Sequence, residues 1–298
     1  MPRFASKSPE QQAKSVEKAL DKSGEIASVR TLSNYTERLE QVAKNMNEYG
    51  IKGEIRDLTP ETATQYLEAR GQEVGQKTLD MERQAIQAMF THVTGQLEQG
   101  QKLDVVKSEH AQALTSRAYT PEQVQMVASA QGEKHSLSTE IAHAAGLRAH
   151  ELNTLAPVAE RAADVRDATL NSKFEGREGQ IYTVEGKGGL CREVLIPSHL
   201  AERLEERRFD TPQSVTDRGV HYQQRYDIGA GQKWSNSYSA ASNRELGWSE
   251  GAHGVRHSYA QERMNELQNA GYSRDIALTT VSQEMGHFRP DITEVYLR

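Results

Sequence analysis

Cysteine is nearly absent: Cys191 is the single one among 298 residues. One thiol cannot close an internal disulfide, which excludes a cross-linked secreted scaffold and predicts a reducing compartment. No run of about 18 apolar residues occurs, which excludes a helical membrane span. The opening MPRFASKSPEQQAKSVEKAL has no apolar stretch of the kind a signal peptide needs, so a cytoplasmic chain is expected. A basic excess is missing too. Lysine and arginine number 36 against 42 acidic residues, a net charge of −6 with pI near 6.0. Divided near residue 118, the chain has 16 basic and 17 acidic residues before that point and 20 and 25 after it. Neither half is a generally basic coat for nucleic acid, although a basic stripe on one face is still allowed. Internal repeats and low-complexity segments are also lacking.

What is present is ordinary globular material: 36% hydrophobic and 26% charged residues over a length that suits two domains. The first hundred residues read as helices. Leu32, Tyr35, Leu39, Val42 and Met46 recur at helical spacing before Gly50. Thr59 and Pro60 form the N-cap and first position of a helix whose apolar face is Ala63, Tyr66 and Leu67. Leu79, Ile86, Met89, Phe90 and Val93 mark a third helix. Residues 101–118 are polar and read as a linker. Thr120, Pro121 and Gln123 then give a capping-box signal. STEIAHAAGLRAHELNTL reads as a further helical stretch, interrupted by Gly146.

The period changes at residue 180. Ile181, Thr183 and Glu185 alternate with Tyr182 and Val184, and a Gly-Lys-Gly-Gly turn leads to Val194, Leu195 and Ile196, the pattern of a β-hairpin. Residues 199–209 read as a helix, 211–235 as irregular chain, and the Ser-, Asn- and Gly-rich stretch over 211–250 as a surface loop with a short helix. Three helices close the chain, over HGVRHSYAQERMNELQNAG, DIALTTVSQEMGH and DITEVYL.

Four segments carry chemistry-bearing residues: GLRAHEL with Arg148 and Glu151, GKGG with Lys187, HGVRH with His253, Arg256 and His257, and MGH with His287, followed nine residues later by Tyr296. In this order and spacing they resemble the tyrosine recombinase (phage-type integrase, Xer-like site-specific recombinase) family. The resemblance covers roughly residues 119–298 and, more loosely, the helical part before it. It implies a mainly α fold with a small β-hairpin: a helical, SAM-like core DNA-binding domain over 1–100, a linker over 101–118, and an α+β catalytic domain over 119–298.

By that resemblance, Tyr296 is the nucleophile and Arg148 and Arg256 clamp the phosphate. Lys187, on the hairpin turn, is the general acid. His253 and His287 bind phosphate or take the tyrosine proton, with Glu151 and His257 in support. The chemistry suits these residue types. A phenol is a weak nucleophile with a free pKa of about 10, and the charge developing on the phosphoryl oxygens needs forked donors that never lose their protons. The implied reaction cuts and rejoins duplex DNA through a covalent 3′-phosphotyrosyl intermediate, for integration or excision of a mobile element. It implies no metal or other cofactor. The implied partners are a double-stranded DNA recombination site, further copies of the chain in a tetramer on DNA, and accessory DNA-bending or directionality proteins. The implied place is the nucleoid of a bacterial or phage-infected cell.

In the first domain Ser28, Arg30, Thr31 and Asn34, and then Lys77, Thr78 and Arg83, stand at helix openings where phosphates are expected. Other readings of the same residues are a catalytically silent DNA-binding accessory protein of this fold, a type IB topoisomerase-like nicking-closing enzyme, and a phosphomonoesterase built on the Arg256-His257 pair. The last pair lies late and in a helix, where such an enzyme does not carry it.

Overall fold

Four consecutive helices account for most of the chain's first third, and their ends are written in the sequence. In the computed structural model, which describes residues 7–111, 115–166, 169–186 and 188–298, α1 (Pro9–Ser23) opens on a capping box: Ser8 Oγ accepts the Gln11 N–H and Gln11 Oε1 accepts the Ser8 N–H. α2 (Val29–Asn45) is capped by Ser28, and α3 (Pro60–Gly71) by Thr59 with Pro60 at its first position. α4 (Gln76–Met89) runs into a wider π-turn over Phe90–Thr94. Leu39 and Val42 of α2 with Met46 just past its end, Tyr66 and Leu67 of α3 and Leu79, Ile86, Met89 and Phe90 meet in one apolar core. Of the apolar positions expected from spacing, Leu32, Tyr35 and Val93 pack half-buried against it, and Ala13, Val16 and Leu20 of α1 join it.

The chain divides into two compact units, Met1–Ala113 and Leu114–Arg298. Part of the polar stretch after α4 is docked on the first unit. Leu103 is buried in its core, Ser108 donates to Val74 O at 2.6 Å, and Gln76 donates to Val106 O at 3.0 Å.

The second unit begins with α5 (Pro121–Ser129), on the expected Thr120–Gln123 box, and α6 (Glu133–Ala145). Gly146 ends α6 in the left-handed conformation, φ 60°, and a Cβ there would stand 2.6 Å from the Tyr259 ring. Both the backbone and the neighbouring ring require glycine. The interruption expected at Gly146 is present, but the α-helix expected to carry GLRAHEL does not resume after it: Arg148 lies in the connecting loop, and Glu151 opens a 3-10 turn, Glu151–Thr154. β1 (Ala156–Pro157), β2 (Gln180–Glu185) and β3 (Cys191–Ile196) form an antiparallel sheet in that order. Tyr182 pairs with Val194 and Glu185 with Cys191 across the expected hairpin.

After α7 (Ser198–Glu205), a second hairpin is formed by β4 (Arg208–Asp217) and β5 (Val220–Tyr226). This corrects the irregular reading of 211–235. Both strands are largely exposed and so lack an apolar face, and Pro212 falls in the register shift between Arg208 and Gln213, where no ladder donor is needed. The turn is Arg218-Gly219, both at positive φ (48° and 77°), which matches the twist of a tight hairpin.

A second correction concerns α8 (Gly231–Leu246). It is a long helix rather than a surface loop with a short helix, and it buries Trp234, Tyr238, Ala241 and Ser242. The Trp234 indole donates to Thr139 Oγ1 at 2.9 Å. α9 (His253–Asn269), α10 (Arg274–Glu284) and α11 (Pro290–Thr293) follow, and Tyr296 lies in a closing 3-10 turn, Glu294–Leu297. The architecture is mainly helical, with two small antiparallel sheets. No described helix is long and apolar enough to cross a membrane.

Candidate active site

One buried carboxylate organises the site. Glu151 is fully buried; its Oε1 accepts from Arg148 Nη1 at 2.8 Å, and its Oε2 accepts from the Arg148 backbone N–H and from Arg192 Nη2, each at 2.8 Å. Arg256 Nη1 lies 3.9 Å from Oε2. Burial alone would raise the carboxyl's pKa, but Arg192, Arg256 and Arg148 outweigh it and hold the group down at about 2. Three guanidiniums around one carboxylate leave a cationic surplus, and Arg148, with 23% of its side chain exposed, is the member that reaches the surface.

Arg256, also fully buried, sits on the first turns of α9. It donates to Gly146 O at the end of α6, to Met285 O at the end of α10, and to His287 Nε2 at 3.0 Å. These are helix-terminal carbonyls with no partner inside their own helices, and a buried cation is the charge such ends favour. Burial and the neighbouring Arg148 lower the Arg256 pKa to about 10, so it remains cationic at neutral pH.

Because a guanidinium only donates, His287 Nε2 must accept, and the ring proton is on Nδ1, facing Thr293 Oγ1 at 3.0 Å. Burial, then Arg256, Arg148 and Arg192, push His287 down to about 3. His257 falls to about 4 through burial and Arg117, and its Nδ1 is buried without a partner.

The Tyr296 ring lies among these groups. Its centroid is 4.7 Å from that of His257, 5.1 Å from His287 and 5.4 Å from His253, and Arg256 Cζ is 5.6 Å from it. His253, at the start of α9, is the exposed member. Gln261 donates to the carbonyls of Tyr296 and Arg298, at 3.2 and 2.8 Å.

Arg148, Glu151, His253, Arg256, His257, His287 and Tyr296, singled out by sequence spacing, thus converge. Lys187 lies outside the described residues; the flanking Gly188 and Gly189 both adopt φ 82° in the hairpin turn. Among the described residues, no group of His, Cys, Asp and Glu could hold a metal ion.

Arg192 is the residue that sequence spacing missed. It is an isolated arginine in a strand, and its only signal is a charged side chain in the otherwise buried run Cys191–Ile196. A second buried cluster lies behind it. Glu284 accepts from Arg263, from Tyr259 Oη at 2.8 Å and from the Phe174 N–H at 2.8 Å, tying the loop before β2 to α9 and α10.

In the first unit, Ser28, Arg30 and Lys77 are exposed, and Thr31, Asn34 and Thr78 half-buried. Arg83 is turned inward, donating to Leu103 O at 3.2 Å and to Gln87 Oε1 at 3.4 Å.

Among solved structures, a lambda integrase tetramer bound to a Holliday junction matches 96% of this chain over 76% of its own, with a TM-score of 0.58 and 15% identity. The XerH site-specific recombinase, in a post-cleavage complex with its palindromic difH substrate, matches 96% of this chain over 81% of its own, with a TM-score of 0.57 and 14% identity. The fold is that of the tyrosine recombinases. No family model matches the chain, and no curated protein matches it in sequence. The tyrosine recombinase fold is thus carried here by a sequence far from those relatives, and its second unit holds the Glu151 cluster and Tyr296 side by side.

Proposed function

We infer that this chain is a DNA strand transferase that cuts and rejoins duplex DNA at a specific site, in the service of a mobile element. The observation that carries this reading is the placement of the Tyr296 ring against Arg256 and three histidines, beside a carboxylate outnumbered by guanidiniums. A site with surplus fixed cations and a phenol packed against them suits a phosphodiester under attack. The Tyr296 oxygen forms a bond to phosphorus, the bond to the 5′-oxygen breaks, and Arg148 and Arg256 meet the charge that gathers on the non-bridging oxygens.

The phenolic proton passes to a neighbouring histidine, His253, or His287 through its Nε2 once Arg256 turns from that nitrogen to the phosphate. His287 is neutral in the resting site, and a phosphate settling between the arginines offsets the cations that depress it, so its basicity rises when it is needed. Lys187 delivers a proton to the departing 5′-oxygen. A 5′-hydroxyl from the partner strand reverses the step, so the phosphodiester bond energy is kept and no cofactor is consumed.

The first unit contributes backbone phosphate contacts through Ser28, Arg30, Thr31, Asn34, Lys77 and Thr78; Arg83 is already committed to Leu103. Four copies assemble on the paired sites, with accessory DNA-bending or directionality proteins. The likeness to an integrase bound to a Holliday junction and to a recombinase captured after cleavage supports this reading.

The test is covalent trapping. The protein is incubated with a pool of nicked duplexes of randomised sequence, denatured and resolved on a gel beside Tyr296→Phe. A protein–DNA adduct that disappears in the Phe variant is expected. Retained DNA binding with no adduct would overturn the strand-transfer reading in favour of an accessory binder.

A further inference from the structure

Arg192 lies outside every motif that marks the site, yet it makes the most demanding contacts there. Only 3% of its side chain is exposed. One end of the guanidinium donates to Glu151 Oε2 at 2.8 Å and the other to Glu284 O, at the end of α10, at 2.7 Å; its Nε has no partner. Its methylene stem passes directly over Gly286, where a Cβ would stand 2.5 Å from Arg192 Cδ. Burying a guanidinium with an unsatisfied N–H is costly, and an apolar residue would serve a simple strand better.

The return on that cost is geometric. With Oε2 held by Arg192 and by the Arg148 backbone, the Glu151 carboxylate plane is fixed, and Oε1 is left to aim the one partly exposed guanidinium, that of Arg148. The same side chain clips β3 to the end of α10, immediately before the loop that presents His287.

We propose that Arg192 is a positioning residue: it locks the carboxylate that orients Arg148 and ties the β3 strand to the His287 loop, so that the oxyanion site is set before substrate arrives. The inference deepens the strand-transfer reading and rests on it for the cleavage assay alone.

Arg192→Gln and Arg192→Lys are compared with the wild type. Melting temperature is recorded for each, so that loss of fold is seen directly. The first readout needs no DNA: inorganic vanadate, a tetrahedral oxyanion, is titrated and followed by vanadium NMR. The folded Gln variant is expected to bind vanadate at least tenfold more weakly. The Lys variant, whose single ammonium spans only one of the two acceptors, falls between, and keeps the test open if the Gln variant does not fold.

The second readout is adduct formation on the nicked duplex pool. It is expected to drop at least tenfold, with duplex binding within twofold of wild type. The acid limb of its pH profile should move upward, because Arg192 is one of the cations facing both Glu151 and His287. The other charged or titratable groups there are Arg148, Arg256, His150 and Tyr296.

Vanadate affinity within twofold of wild type in a folded variant overturns the proposal, as does a wild-type protein indifferent to vanadate. Equal adduct formation in wild type and variants removes the positioning role and leaves strand transfer standing. No wild-type adduct, with vanadate affinity still tracking Arg192, removes strand transfer and leaves the positioning role.

Discussion

Each unit of the molecule buries a glutamate completely, and the two are treated in opposite ways. In the first unit Glu82 accepts from Tyr66 Oη at 2.8 Å and is matched by one guanidinium, Arg70, whose Nε lies 3.3 Å from both carboxylate oxygens. Arg70 also donates to Glu73 Oε2 at 2.8 Å, so two carboxylates share its one charge and no positive charge is left over. In the second unit Glu151 faces Arg148, Arg192 and Arg256. Burial is the same, but one cluster is closed and the other carries surplus positive charge in a low-dielectric setting, where an arriving anion is bound strongly. The difference teaches that a buried ion pair by itself signals nothing. It is the unmatched charge beside a reactive group that signals chemistry.

The largest expected effect comes from removing each carboxylate charge. Glu151→Gln should lower adduct formation at least 100-fold, roughly 3 kcal/mol of barrier, because Arg148 loses its anchor. Glu82→Gln should cost about 3 kcal/mol of stability in urea unfolding and leave the trapping rate per folded molecule unchanged. Equal rate losses in both variants would erase the distinction between the clusters.

Next come two left-handed glycines at helix ends. Gly24 and Gly286 share φ 71°, but a Cβ on Gly24 meets nothing within 4 Å, whereas one on Gly286 strikes Arg192. Gly24→Ala should cost about 1 kcal/mol, from backbone strain alone. Gly286→Ala should cost more and also slow adduct formation about tenfold, roughly 1.4 kcal/mol, by displacing Arg192. Differential unfolding curves and trapping rates measured together would separate strain from mispositioning.

Acid should act chiefly on the second unit's site. His287 and His257 titrate near 3 and 4 in the fold against 6.5 when free, so the unfolded chain takes up their protons first. Their contribution to stability is complete above about pH 6.5 and is lost as pH falls through 4 and 3. Glu151 adds a further loss between its ordinary 4.5 and about 2. A His287→Asn variant should therefore show a shallower decline in stability between pH 6.5 and 4 than the wild type, measured by urea midpoint.

The smallest effect is expected at the exposed Arg274–Glu294 pair, bidentate at 2.8 Å and near Tyr296 in sequence. Water screens it, so Arg274→Ala should change stability by no more than about 1 kcal/mol and adduct formation by less than twofold. A large loss there would show that this surface pair, rather than the buried cluster, governs the tyrosine.

Much of this was legible in one dimension. Helices announce themselves through caps, Thr59 in the first unit and Thr120 in the second, and through apolar spacing, and GLRAHEL, HGVRH and GH with Tyr296 are close-set patterns whose residues do meet. What escaped did so for physical reasons. The hairpin at Arg208–Tyr226 has no apolar face and carries Pro212 at a bulge. α8 spaces its buried Trp234, Tyr238 and Ala241 seam among half-buried Ser and exposed Asn, a composition that reads as a surface loop with a short helix. Arg192 has no sequence neighbour in the site, and its partners Glu151 and Glu284 lie 41 and 92 residues away. A contact that exists only through tertiary packing leaves no periodic trace.

Arg256 joins Gly146 O, at the end of α6, to Met285 O, at the end of α10. In mechanical terms it is a tie rod between two beams that both also rest on α9. Its two ends are rigid, so a small slide of either helix must appear as a rotation of the guanidinium plane beneath Tyr296. Repacking far from the site, at Ile141 in α6 or Val281 in α10, both buried, therefore becomes a way of tuning the angle at which the site meets its phosphate, without touching any residue of the site itself.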